Sequence, residues 1–92
     1  VAAKDAELTV GQVAEKLGGV HPETVRRYLK DDLLQGRRLP KGHRRVFASS
    51  VEELIRVMGM PEGDDKVMAF AALQERNRKE RERRERAEQT FE

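Results

Sequence analysis

The sequence predicts a mainly α-helical fold with one small two-stranded β-hairpin, closed by a highly charged C-terminal helix. Three observations carry this expectation. Apolar residues recur at three- and four-residue steps in short segments that begin with helix-capping residues. The stretch 33–47 instead holds two short β-favouring runs around a Pro-Lys-Gly turn signal. Beyond Gln74 the chain is mostly Arg and Glu. At 92 residues, 37% hydrophobic and 39% charged, it has apolar material for a single modest core. Part of the chain is therefore expected to lie outside the packed body as a solvated helix or tail.

The expected organisation is a disordered arm over 1–7, a compact domain over 8–59, a linker over 60–65 and a helix over 66–92 with Asp64 or Asp65 suited to its N-terminus. The first helix runs from about Val10 to Leu17. Thr9 is its N-cap, Gln12 completes a capping box, and Leu8 with Val13 has the spacing of a hydrophobic staple. Val10, Val13, Ala14 and Leu17 form its inward stripe, and Gly18 and Gly19 end it. A second helix over 22–31 starts at once, with His21 as cap, Pro22 in the first position and Val20 with Val25 repeating the staple. Two short helices around a tight glycine turn make a helix-turn-helix. In the second, Val25, Tyr28 and Leu29 share a face, and Thr24, Arg26, Arg27 and Lys30 lie outside it.

The hairpin occupies 34–47. Alternation in its second strand sets His43, Arg45 and Phe47 on one side and Arg44 and Val46 on the other, with Phe47 as the expected core anchor. Ser49 or Ser50 is the expected cap of a third helix, whose apolar face is Val51, Leu54, Ile55 and Met58 and which Gly59 and Pro61 stop. The last helix opens on an apolar patch of Val67, Met68, Phe70, Ala71 and Leu73, placed either to pack on the domain or to pair with another subunit. From Gln74 onward, seven Lys/Arg and six Glu set opposite charges four apart at Glu75 and Lys79, Arg78 and Glu82, Arg81 and Glu85, and Arg84 and Glu88. Each such pair is worth only about 0.2–0.5 kcal/mol. No a/d seam runs through this segment, so it is read as a solvated appendage or a partner-binding helix rather than a long coiled coil.

Charge distribution says more than the net charge of +2. Residues 21–47 hold eight Lys/Arg against three acids, whereas the flanks up to Val20 and from Ala48 to Leu73 are net acidic. A positive centre between acidic neighbours is the footprint of a surface that meets a polyanion. The absence of cysteine excludes a disulfide framework and a thiolate metal site. The two histidines, His21 and His43, have no metal-binding spacing with the acidic residues, so no cofactor and no metal are expected. No nucleophile, base and orienting group occur together, which argues against an enzyme. Four aromatic residues, Tyr28 and Phe47 among them assigned to packing, leave little surface for stacking single-stranded or RNA bases. No apolar run nears the ~20 residues of a membrane span, and Val1–Leu8 lacks a signal-peptide core. The expectation is a cytoplasmic, nucleoid-associated protein without a membrane partner.

These residues are similar to a known family. "LTVGQVAEKLGGVHPETVRRYLKDDLL" followed by "LPKGHRRVF" and "VEEL" resembles the winged helix-turn-helix DNA-binding module of the MerR superfamily. Within it the chain looks most like the small stand-alone BldC-like regulators and excisionase-type proteins of bacteria and phage. The likeness spans about Leu8–Met58 and is carried by Val13-Ala14, by the Pro22–Tyr28 run and by Gly42–Arg45. It implies that the second helix enters the major groove with Thr24, Arg26, Arg27 and Lys30. It also implies that the wing follows the backbone or minor groove with Arg37, Lys41, His43, Arg44 and Arg45. The chain departs from the family pattern at the turn, which has Gly18 and Gly19 in a row, at Asp32, where a glycine is usual, and in a shorter segment between Phe47 and Val51.

The function expected from this reading is a small sequence-specific regulator of transcription that binds double-stranded DNA as a homodimer or as a cooperative oligomer. The alternative is an architectural or assembly protein (an excisionase, a terminase small subunit or a chromosome-anchoring factor) that uses the charged tail to recruit a protein partner. A purely protein-binding adaptor is the third.

Overall fold

The computed structural model describes residues 6–89, and their side chains as far as residue 87. Seven elements follow in order: β1 Glu7–Thr9, α1 Val10–Lys16, α2 Pro22–Lys30, β2 Gly36–Arg38, β3 Arg44–Phe47, α3 Ala48–Met58 and α4 Asp64–Gln89. A mainly helical chain with a winged helix-turn-helix arrangement is what these elements make. The hairpin, however, belongs to a three-stranded antiparallel sheet of order β1-β3-β2 and not to a two-stranded one.

The additional strand begins at Glu7, inside the expected disordered arm, the rest of which, residues 1–5, lies outside the described residues. β1 pairs Leu8 with Val46 and Thr9 with Arg45. Thr9 then changes role within one residue, because its hydroxyl accepts from the Gln12 amide at 3.1 Å while the Gln12 side chain accepts from the Thr9 amide at 2.8 Å. This reciprocal capping box satisfies two backbone donors and starts α1 where the strand stops.

The core is built from Val13 and Ala14 of α1, Val25 and Leu29 of α2, Leu34, Val46 of β3, Val51, Leu54 and Val57 of α3, and Leu73 of α4. Val46, at 0% exposure, takes the anchoring position expected of Phe47. The alternation was read correctly, but the inward side is that of Arg44 and Val46. Val46 lies in the middle strand between Leu8 and Gly36, where both neighbours close over it. Phe47 is half-buried on the other side, beneath the Arg84 guanidinium, which lies 5.2 Å from the ring centroid.

Neither serine caps α3. The Phe47 amide donates to the Gln35 carbonyl at 2.9 Å, keeping the chain extended up to the first helical residue, so Phe47 itself is the N-cap and no side chain caps the helix. Ser50 falls inside the first turn, is buried, and accepts from the Gln35 amide at 2.7 Å. It thereby ties α3 to the segment that enters the wing.

α4 begins at Asp64, one of the two acidic residues expected to open it, and so takes in the last two residues of the 60–65 segment. Its apolar opening divides by face: Leu73 is buried, Ala69 and Phe70 pack partly against the core, and Val67 and Met68 are 67% and 68% exposed. The pairs Glu75–Lys79, Arg78–Glu82 and Arg81–Glu85 all form, while the pairing expected of Arg84 with Glu88 lies outside the described side chains. The charged half is not a free appendage, since Arg76 pairs with Glu53 of α3 and Arg81 with Asp32 at 2.9 Å.

Gly36 is the tightest point of the sheet, because an added Cβ there would run into the Arg45 carbonyl of the neighbouring strand. Gly36→Ala is expected to separate β2 from β3 and cost about 1–3 kcal/mol, read as a fall in urea midpoint. Gly11→Ala, with only the Thr9 hydroxyl near the added methyl, is expected to leave the midpoint unchanged or higher.

Candidate nucleic-acid interface

α2 owes its position to both of its ends. At the start, the His21 Nδ1 accepts from the Glu23 amide at 3.0 Å and Pro22 occupies the first turn. The preceding turn is closed by the Gly19 and Val20 amides, both donating to the Ala14 carbonyl, with Gly18 and Gly19 at φ of 99° and 85°. Those left-handed values are why two glycines stand there. At the far end Asp31 caps α2, Asp32 turns left-handed at φ 62°, and the Leu33 and Leu34 amides both donate to the Tyr28 carbonyl. Asp32 thus takes the conformation that usually selects glycine, at some cost in backbone energy. Burying Val25 and Leu29 leaves Arg26, Arg27 and Lys30 exposed, with Thr24 half-buried.

The wing is pinned at its tip by the Leu39 amide donating to the His43 carbonyl at 2.7 Å, around a single 3₁₀ turn at Pro40–Gly42. Its register sets Arg37 opposite Arg45 and Arg38 opposite Arg44. Two rungs of like charge face each other across the ladder. Directly opposed like charges destabilise an antiparallel pair. Glu7 offsets one rung by accepting two bonds from Arg37, at 2.9 and 3.0 Å, and this hydrogen-bonded carboxylate raises the Arg37 pKa further above its ordinary value. Among the described residues no ion pair offsets the rung of Arg38 and Arg44.

One groove separates α2 from the wing. From α2, Arg26, Arg27 and Lys30 line it beside Glu23; from the wing, Arg38 and Arg44; and from α4, Arg81 and Glu85. The structure therefore brings together four of the residues expected to contact DNA: Arg26, Arg27, Lys30 and Arg44. Arg37 and Arg45 line the adjoining cavity, together with Gln35, Asn77 and Arg84. Thr24, Lys41 and His43 lie outside the groove lining, the last two exposed at the wing tip. Arg26 also holds Glu23 at 2.5 Å on its own helix.

Sequence reasoning counted Arg38 in the basic cluster yet left it out of the contact set, although the hairpin register with Arg44 would have included it. Arg81 and Glu85 gave no such signal, since only the docking of α4 brings them to the groove. Asp32 accepts from Arg81, a hydrogen bond that with the attraction of the carboxylate raises the guanidinium pKa. Among the described residues no group of three or more His, Cys, Asp or Glu is placed to hold a metal ion, and no helix is long and apolar enough to cross a membrane.

Residues 9–46, from the capping threonine of α1 to the buried valine of β3, match the model of the MerR family regulatory protein. Over this segment the chain is similar to that family. The match takes in α1, α2 and nearly all of the wing, and it stops short of α3 and α4. Comparison with curated proteins and with solved structures gives no significant match.

The cap of α2 lies inside the matched segment and can be tested directly. His21→Ala removes the acceptor for the Glu23 amide and is expected to cost about 1 kcal/mol in chemical denaturation, whereas His21→Asn keeps an acceptor and most of that stability.

Proposed function

We propose that the chain is a transcription regulator that binds double-stranded DNA, with α2 in the major groove and the β2–β3 wing on the backbone or minor groove. The match to the MerR family supports the general class. The observation that carries the reading is the pairing of Arg38 with Arg44 across the ladder, facing Arg26, Arg27 and Lys30 over one groove. A hairpin gains nothing for its own stability from opposed arginines, and a phosphate row beside them converts the repulsion into attraction. Arg26 is assigned to base edges, where its fork can engage guanine O6 and N7 together, and Arg27 to a phosphate. Arg37, Lys41, His43 and Arg45 extend the backbone contact along the wing, and Thr24 approaches the bases from the start of α2.

One such module makes few base contacts, so the regulator acts as a homodimer or binds cooperatively at repeated sites. Met58, Val67 and Phe70, rimmed by the Glu62–Lys66 ion pair, line a pocket at the start of α4 that suits such a contact. The assembly-protein reading asks the charged half of α4 to recruit a partner. That half already spends part of its surface on Asp32 and Glu53 of its own chain, which favours the regulator.

Affinity for a duplex is expected to fall with salt along a log-log slope of about −4 to −5 per subunit. Arg38→Gln and Arg44→Gln should each flatten that slope by about 0.9 without changing which duplex is preferred, and Arg26→Ala should relax the preference itself. Anisotropy titrations on selected and scrambled duplexes, with heparin as the control polyanion, read all three. Equal binding to duplex and heparin would overturn the proposal.

A further inference from the structure

α4 carries a stripe of polar residues that all reach the same five-residue link, 31–35, between α2 and β2. Gln74 donates to the Asp31 carbonyl at 3.2 Å. One turn on, Asn77 is only 1% exposed, donating to the Asp32 carbonyl at 2.8 Å and accepting from the Gln35 side chain at 2.7 Å. Next, Arg81 donates through Nε and Nη2 to the two oxygens of the Asp32 carboxylate, at 2.9 and 3.4 Å. Arg84 completes the stripe, donating to the Gly36 carbonyl at 2.6 Å and the Gln35 side chain at 2.8 Å while its guanidinium covers Phe47. Steps of three and four residues put these side chains on one face of the helix. A buried asparagine bonded through both its amide oxygen and its amide nitrogen is a costly way to attach a helix if attachment is all that is needed, because an apolar residue there would serve as well.

We infer that this face of α4 is a strut that sets the distance between α2 and the wing, with Asp32 as the joint through which it acts and Asn77, Arg81 and Arg84 as positioning residues; this rests on the duplex-binding reading above. A duplex engages both walls of the groove at once, so a link left free to swing must be ordered at the moment of binding, at a cost in affinity. Gripping the link beforehand removes that cost. The left-handed Asp32 belongs to the same device: glycine would relax the backbone there but offers no carboxylate for Arg81 to hold.

Asp32→Gly in the full chain separates positioning from direct contact by the sign of its effect. Removing an acid beside a cationic groove, and releasing Arg81 from its partner, strengthens attraction to DNA on electrostatic grounds alone. A strut role demands the opposite: binding about tenfold weaker to a duplex selected by the unaltered chain from a random-sequence pool, with wing protection fading in hydroxyl-radical footprints and α2 protection kept. Asp32→Asn, which tolerates the left-handed backbone and retains one acceptor, restores most of the loss. A second readout needs no DNA. The chain has no cysteine of its own, so spin labels on Lys30→Cys and Lys41→Cys report the distance from α2 to the wing tip. That distribution should broaden in Asp32→Gly and in the exposed substitution Arg81→Gln, and narrow again in Asp32→Asn. Unchanged distributions, or Asp32→Gly binding as tightly as the unaltered chain or tighter, overturn the strut. Failure of the unaltered chain to select any duplex overturns the duplex-binding reading instead, and the spin-label distances then still decide whether α4 holds the joint.

Discussion

The arrangement depends on the burial of Val46. It stands in the central strand with Leu8 on one side and Gly36 on the other and is closed off completely from solvent. Because side chains alternate along a strand, a slip of one residue would move either Arg45 or the larger Phe47 into that position. An unpaired buried guanidinium is far more costly than a buried valine is favourable, and a phenyl ring would overpack a site closed around a valine, so the requirement at one site selects the register of the whole hairpin. From that register follow the opposed arginines, the side on which Arg44 emerges and its placement across from α2. An interaction with no charge in it thus decides where the charges go.

The rest of the molecule reflects how little apolar material is available. Among the described residues ten buried hydrophobics form the core, and α4 contributes one of them, Leu73, with Ala69 and Phe70 partly packed beside it. From Gln74 onward the helix is attached by hydrogen bonds, ion pairs and the Arg84 guanidinium over Phe47. Among the described residues no buried side-chain nitrogen or oxygen lacks a partner, which is the condition under which a polar junction is specific rather than merely destabilising. Exposed ion pairs along α4 contribute little each. Their value lies in geometry, since they support the helix that presents its polar face to the link.

Local chemistry was legible and distant chemistry was not. The capping box at Thr9 and Gln12 and the His21–Pro22 start are encoded within three residues, so reading them required no knowledge of the fold. The hairpin was legible from its turn. β1 was missed because three residues, two of them polar or acidic, carry no strand pattern until β3 is beside them. Alternation gives two sides, one with Phe47 and one with Val46, without saying which is inward, and the choice is made by the strands that flank Val46. Ser50 reads as a helix cap only if the strand before it ends sooner than it does. At the site, the α2 cations were visible as the residues left over from an apolar stripe. The contribution of α4 was not, because Arg81 and Asp32 are 49 residues apart and the Arg/Glu repeat around them looks the same on every face.

The segment recognisable as MerR-type ends at residue 46, and this boundary does not coincide with a physical one. Excising 9–46 would strip Leu8 from the sheet, remove Val51, Leu54, Val57 and Leu73 from the core, and leave the Ser50 and Asn77 partners of Gln35 behind. What homology delimits as a module is therefore less than what cooperative folding requires. A minimal fragment meant to stand alone has to include the first half of α4, even though nothing in the resemblance asks for it.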